Sequence, residues 1–339
     1  MNKSPHPPRT LRLLFWESTA ACNLSCIHCR RLDTRADDEL TTAEFRTVLD
    51  SAASLGRPVI VFSGGEPLLR DDWRQLAEYA RSLDLPIALA TNGTLIDAAL
   101  AEQIAQTGFS RVAVSLDGAD HATHDAFRGD GTFDRAITGL RLLRLADQPV
   151  QINASIAAHN VHQLDALYDL AESLHAEALH LFLLVPVGCG RKIAASHQLP
   201  PQQYEQVLQW ICDRQADSPA FELKATCAPH YMRLAAQRGI KPRSSRGCLA
   251  GVGVVFVSCR GEVFPCGYLP VKCGSVREQS LADIWRNSPD LKRLADSNLL
   301  KGKCGRCEYK SICAGCRARA FAETGDYLAE EPNCLYQPS

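Results

Sequence analysis

No apolar run in this chain approaches the roughly 18 residues needed to cross a bilayer. The longest one near the N-terminus, "LRLLFW" at residues 11–16, is too short for the core of a secretion signal and runs straight into Glu17. An excess of one charge is also missing. With 37 basic against 38 acidic residues the net charge is -1, which argues against general nucleic-acid binding. There is no internal repeat and no low-complexity linker. These absences point away from membrane and nucleic-acid partners and toward a cytoplasmic location. What remains, 339 residues at 46% hydrophobic, is enough for one large α/β domain with a small appendage.

The chain is not short of cysteine. It has 15, an odd number that leaves one thiol over if all the others were paired. In a reducing compartment clustered thiols serve metals or catalysis more often than cross-links. Only Cys189 and Cys212 lie between Cys29 and Cys227, so two metal-binding regions, one toward each end, are expected.

The first half alternates buried-strand runs with amphipathic stretches. Strands are expected at 11–17, 58–65, 86–93, 111–118, 149–157 and 178–186, with helices starting near Thr42, Asp71, Asp97, Thr132 and Val161. This spacing produces parallel βαβ units. Six of them are too few for a closed eight-fold barrel, so an open (β/α)6 partial barrel or a doubly wound sheet fits. After a Gly-rich loop, "PVGCGRK", comes a helix around 201–216. From about 245 the alternation gives way to short strands, one helix and a Cys-rich end. The domain boundary falls in 230–247, which divides the chain into 1–235 and 236–339.

The first metal region is "ESTAACNLSCIHCR", with Cys22, Cys26 and Cys29 spaced C-x3-C-x2-C and no fourth cysteine nearby. Structural zinc takes four closed ligands, usually as two C-x2-C pairs. Three thiolates on one loop suit a [4Fe–4S] cubane with one iron left open; zinc completed by His28 or a distant residue is the alternative. The triplet follows the first strand, at the mouth where βα loops build active sites. The next strand ends in "SGGEP", where Gly64 and Gly65 allow close backbone approach and Glu66 can accept hydrogen bonds from an ammonium group.

On these residues the chain resembles the radical S-adenosylmethionine (SAM) superfamily, whose hallmark is C-x3-C-x2-C followed by a GGEP-like strand end. The resemblance implies a partial (β/α)6 TIM-like barrel and a [4Fe–4S] cluster that binds SAM. One electron then cleaves SAM to a 5′-deoxyadenosyl radical. It further implies SAM contacts at successive strand ends: Asn92 in "TNGT", Ser115 in "SLDG", Asn153 in "INAS", and Arg128 as a clamp on the SAM carboxylate. Each of these motifs is also an ordinary turn signal. His28 is expected beside the adenine, not on metal.

The C-terminal cysteines Cys248, Cys266, Cys304, Cys307, Cys313, Cys316 and Cys334 resemble a SPASM domain, the radical-SAM appendage that carries auxiliary [4Fe–4S] clusters. Two zinc ribbons are the alternative for this tail. The family spacing C-x2-C-x5-C-x3-C is contracted here to C-x2-C-x5-C-x2-C, which leaves one or two clusters open and Cys259 and Cys273 as substitute ligands. Cys189 and Cys212 are expected to be packing residues. Cys227, beside His230 and Tyr231 in "LKATCAPHYMR", has no obvious amphipathic role.

Stretches spread over nearly the whole chain, among them "FLLVPVG", "LKATCAPHY", "RGCLAGVG", "PCGYL" and "GKCGRCEYKSICAGCRARA", are similar to family members that convert iron-coproporphyrin III to haem b. That likeness implies oxidative decarboxylation of two propionates to vinyl groups, with a flavodoxin or ferredoxin as electron donor. Such a substrate carries four carboxylates, for which Arg30, Arg31, Arg191, Lys192, Arg233, Arg243 and Arg246 supply cations, some as ligands and the rest as solvated charges. His230 is either an axial ligand to the porphyrin iron or a hydrogen-bonded loop histidine, and Tyr231 a donor to a propionate. The alternative is a maturase acting on a peptide or another tetrapyrrole or cofactor; the roughly ten residues before the first strand offer no peptide-binding domain.

Overall fold

The computed structural model describes residues 9–31, 37–217, 219–242 and 246–338. Six strands, β1 (Leu13–Glu17), β2 (Val59–Ser63), β3 (Ile87–Thr91), β4 (Arg111–Ser115), β5 (Val150–Ile156) and β6 (Ala178–Leu183), lie side by side in chain order, and all are parallel. Between them run α1 (Thr42–Ala53), α2 (Trp73–Ser82), α3 (Ala98–Thr107), α4 (His121–Arg128), α5 (Thr132–Leu145) and α6 (Leu164–Ser173). The helix starts follow from local chemistry. Thr41 and Glu44 form a reciprocal capping box at α1, and Asp97 accepts from Leu100 at α3. Helix α4 was not anticipated. Its sequence, HATHDAFR, carries few apolar residues, and it exists because Asp120 caps it and Phe127 is buried.

The expected partial (β/α)6 barrel is present, and the sheet extends past it on both sides. After α7 (Gly190–His197) and α8 (Pro201–Ala216), β7 (Glu222–Thr226) pairs parallel with β6. Helix α7 occupies residues read as loop from their glycines. Following α9 (Tyr231–Gln237), β8 (Val254–Val257) returns to pair parallel with β1, and β9 (Glu262–Phe264) and β10 (Gly274–Ser275) continue antiparallel. The chain beyond residue 236 thus rejoins the sheet of the first part. It closes with α10 (Leu281–Asn287), α11 (Pro289–Ala295), α12 (Gly302–Arg306) and α13 (Arg317–Thr324).

Alternation along each strand sends one set of side chains to the helices and the other inward. Leu14 and Trp16 face the helices, where Trp16 stacks on Phe45 and meets Phe62 edge-on. Phe15 and Glu17, between them, face in. No described helix is long and apolar enough to cross a membrane.

Candidate active site

The cysteine triplet lies on the loop leaving β1, and the two glycines after β2 hold that loop in place. Gly65 N donates to Thr19 O at 2.7 Å and Glu66 N to Ala21 O at 2.8 Å. A Cβ on Gly65 would sit 2.1 Å from Ala21 O, and one on Gly64, at φ +147°, 2.7 Å from Thr19 O. The close approach the glycines allow is therefore to the cysteine loop itself. Arg31 donates from Nε to Cys29 Sγ at 3.3 Å and from Nη1 to Ala20 O at 2.5 Å. Burial pushes the Cys22 thiol up and the Cys26 thiol to about 11. Thiols this reluctant to ionise need a strong positive charge to become thiolates, and a cluster's iron supplies one.

Glu66 is fully buried and accepts from Thr91 Oγ1 at 2.7 Å, Asn92 N at 2.8 Å and Leu68 N at 3.3 Å. Burial raises its carboxyl to about 7 against those bonds. Its side chain joins the ends of β2 and β3 and is not a free acceptor for an ammonium group. Asn92 is likewise engaged. Its Nδ2 donates to Asn23 Oδ1 at 2.8 Å, and its Oδ1 accepts from Thr94 N at 2.9 Å. Asn23, inside the triplet, was missed by the sequence reading, which followed only the thiols there.

At the end of β4 a buried charge cluster forms around Asp117. Arg128 Nε donates to Asp117 Oδ2 at 2.6 Å, Ser155 N donates to Oδ1 at 2.6 Å, and His28 Nε2 lies 3.2 Å from Oδ2. Burial would raise the Asp117 carboxyl, but Arg128 and His28 hold it well below the usual carboxylate range. The terminal nitrogens of Arg128 make no hydrogen bond among the described residues, so Asp117 orients a fork whose outer edge is free for an anion. His28 stacks on Phe127 at 4.6 Å. Phe127 thus covers one of its faces and Asp117 holds Nε2. Ser115 and Asn153 sit opposite each other in register, both inward, and Asn153 Oδ1 accepts from Gln151 at 2.6 Å.

The C-terminal thiols form two groups. Cys304, Cys307, Cys313 and Cys334 line one pocket. Cys227, Cys248, Cys266 and Cys316 form the other; burial raises Cys227, Cys266 and Cys316, and the charges of neighbouring thiols in the group raise them further. Cys227, at φ +57° after β7, supplies the fourth thiol that spacing alone did not reveal. Cys259 and Cys273 belong to neither group. Cys259 is buried beside Glu17, and Cys273 beside Asp290 and Arg9, which removes both as substitute ligands. All fifteen cysteines are free. No three described His, Cys, Asp or Glu side chains converge on a point for a single ion. Two thiol quartets suit cubanes, whose thiolates stand apart at separate irons.

His230 and Tyr231 need correction. His230 is 1% exposed, stacks on Tyr204 at 4.6 Å and lines the Cys304 cavity. It is walled off by the C-terminal segment and is not presented to a porphyrin iron. It is not a hydrogen-bonded loop histidine either, since both ring nitrogens lack partners. Tyr231 donates to Gln215 on α8 and is buried, so it does not reach a propionate. Of the basic candidates, Arg233 is spent on Glu205 at 2.6 Å, Arg191 and Lys192 are exposed, and Arg243 lies outside the described residues. Arg246 is partly buried and engaged.

Arg30 and Arg31 line an open cleft between the cysteine loop and the β8–β9 segment, with Phe256, Phe264, Tyr268 and Cys266 also in its walls. The Arg30 guanidinium lies 4.5 Å over Phe256 and donates to Ser63 Oγ at 3.3 Å. The cleft thus runs between the triplet loop and the Cys227 quartet.

A thiol triplet on the loop leaving the first strand of a parallel partial barrel, with two further thiol groups toward the C-terminus, defines a radical SAM enzyme carrying auxiliary clusters. Sequence comparison agrees: residues 16–174 match the Radical SAM superfamily, and residues 248–317 match an iron-sulfur cluster-binding domain, SPASM. The chain belongs to the radical SAM superfamily and binds SAM and [4Fe–4S] clusters. More particularly, it is 46% identical to an AdoMet-dependent heme synthase of Methanosarcina barkeri, over 96% of this chain and 97% of that one. It is 40% identical to the protein of that name from Oleidesulfovibrio alaskensis, over 98% and 90%. Streptococcus suis SuiB, solved with its precursor peptide SuiA, shares the fold at TM-score 0.79 and 18% identity, over 97% of this chain and 76% of that one.

Proposed function

We propose that this protein is a haem synthase that oxidatively decarboxylates two propionates of iron-coproporphyrin III to vinyl groups, giving haem b. The observation that carries the reading is the cleft. It has aromatic walls for a flat ring and arginines for carboxylates, and it runs from the triplet loop to Cys266. Near full-length similarity to heme synthases supports it.

Cys22, Cys26 and Cys29 would hold the SAM-binding cluster, and the two quartets the auxiliary clusters. When bound, these groups supply a hydrogen-abstracting 5′-deoxyadenosyl radical and an electron acceptor beside the cleft. The chain's own residues do the positioning. Arg128, aimed by Asp117, would take the SAM carboxylate. Gly64, Gly65, Glu66 and Asn92 fix the loop, Ser115 and Asn153 face the space where the nucleoside would lie, and His28 closes its floor on Phe127. Arg30 would grip a propionate. Each propionate loses one β-hydrogen atom, CO2 and one electron, which balances to a vinyl group. We further read residues 1–235 as the catalytic unit and 236–339 as the auxiliary one, the location as cytoplasmic, and the electron donor as a flavodoxin or ferredoxin.

The test is anaerobic. The reconstituted protein is given dithionite, SAM and iron-coproporphyrin III, and porphyrin mass is followed. Two successive losses of one CO2 and two hydrogens, with 5′-deoxyadenosine formed, are expected. Deoxyadenosine without porphyrin change would overturn the substrate and point to a peptide or another tetrapyrrole.

A further inference from the structure

Strands β4 to β7 carry an inward-facing row that crosses the barrel wall: Ser115 opposite Asn153, Asn153 opposite His180, and His180 opposite Lys224. The alternate residues, Ile152, Ala154, Leu179, Leu181 and Leu223, belong to the helix-facing core, so the row faces the lumen. Among the described residues Lys224 has no hydrogen-bonded or close ion-pair partner, and Glu222, two residues earlier on the same face, attracts it only from a distance. No described carboxylate lies within 4.0 Å of its ammonium. The nearest acid on its strand, Glu222, is already engaged by Arg111 at 3.2 Å. His180 lies 3.4 Å from Glu222, outside hydrogen-bond geometry, and burial keeps it neutral with a pKa of about 4. One row nearer the mouth, Thr226 faces the same way, and its buried Oγ1 also has no partner.

A cation partly stripped of water costs free energy unless an anion meets it. Burial lowers the Lys224 pKa accordingly. Its location narrows the choice of anion. Lys224 shares a row with Ser115 and Asn153 and lies three residues before Cys227, so a group beside it would lie on the barrel face shared with the expected SAM contacts and close in sequence to the Cys227 quartet.

We propose that Lys224 is a substrate-carboxylate anchor, its ammonium pairing inside the barrel with one propionate of the tetrapyrrole and Thr226 donating to the same carboxylate. This rests on the iron-porphyrin reading above. It adds a lysine on β7 that the sequence analysis passed over, because a lone Lys in a short polar strand carries no motif.

The experiment is a visible-absorption titration of the reconstituted full chain with iron-coproporphyrin III and, in parallel, with its tetramethyl ester. Lys224→Gln is expected to weaken binding of the free acid by about tenfold to a hundredfold, the range for a charge-assisted hydrogen bond, and to leave ester binding unchanged. Lys224→Arg should restore most of the affinity, while iron and sulfide content report intact folding. Equal affinity of Lys224→Gln and wild type for the acid would overturn the anchor, as would an equal loss for acid and ester. If the wild-type protein binds neither porphyrin, the substrate reading itself falls.

Discussion

Arg128 and Asp117 form a buried ion pair, Nε to Oδ2 at 2.6 Å, that joins the end of α4 to the end of β4. Asp117 is fully buried and also accepts from Ser155 N on β5. One carboxylate thereby fixes both the strand ends and the direction of the guanidinium.

Asp117→Asn keeps the shape and removes the charge, leaving Arg128 uncompensated. Breaking a buried pair this way costs about 3 kcal/mol or more. Chemical denaturation should show that loss, and SAM affinity by equilibrium dialysis should fall with it. An unchanged affinity would separate Arg128 from the SAM carboxylate.

Gly65→Ala should be harsher than an ordinary small-to-large change, which costs about 1–3 kcal/mol. Its Cβ would meet backbone, Ala21 O at 2.1 Å, and backbone has no rotamer to swing aside. We expect a lowered melting temperature and failure to assemble the first cluster, read as loss of its electron paramagnetic resonance signal.

Cys227→Ala should lower iron by about four per chain, one cubane, and abolish porphyrin turnover while leaving some SAM cleavage. Cys259→Ala, which removes an isolated buried thiol, should leave iron content as it was. If the two variants lose iron equally, the assignment of Cys227 to the quartet is wrong.

Acid should destabilise the fold through its buried histidines. Burial lowers His124 to about 4 from its ordinary 6.5, and its Nδ1 accepts from Asp117 N at 3.0 Å. The unfolded chain then binds the proton more readily than the folded one. The stability this group contributes is whole above pH 6.5 and is lost as pH falls toward 4. His124→Asn retains an acceptor and cannot titrate, so its urea midpoint should depend less on pH between 7 and 5 than that of wild type.

The sequence alone determined the parts of this protein that are local. C-x3-C-x2-C, the glycine pair, the six strand–helix units and the tail spacing are contiguous signals, because a loop's ligands and a helix's caps lie within a few residues of one another. The structure decided whatever depends on which distant segments meet. Cys227 joins Cys248, Cys266 and Cys316 because β7 and the tail converge, and no spacing rule spans that distance. His230 looked open in sequence and is closed off because Tyr204 and the C-terminal segment cover it. Strand β7, short and half polar, was unreadable because its inward face lines a lumen and carries no apolar alternation. Lys224 acquires its meaning there only from the register of four parallel strands, since hydrogen bonding across the sheet, not adjacency in the chain, sets it level with Asn153 and His180.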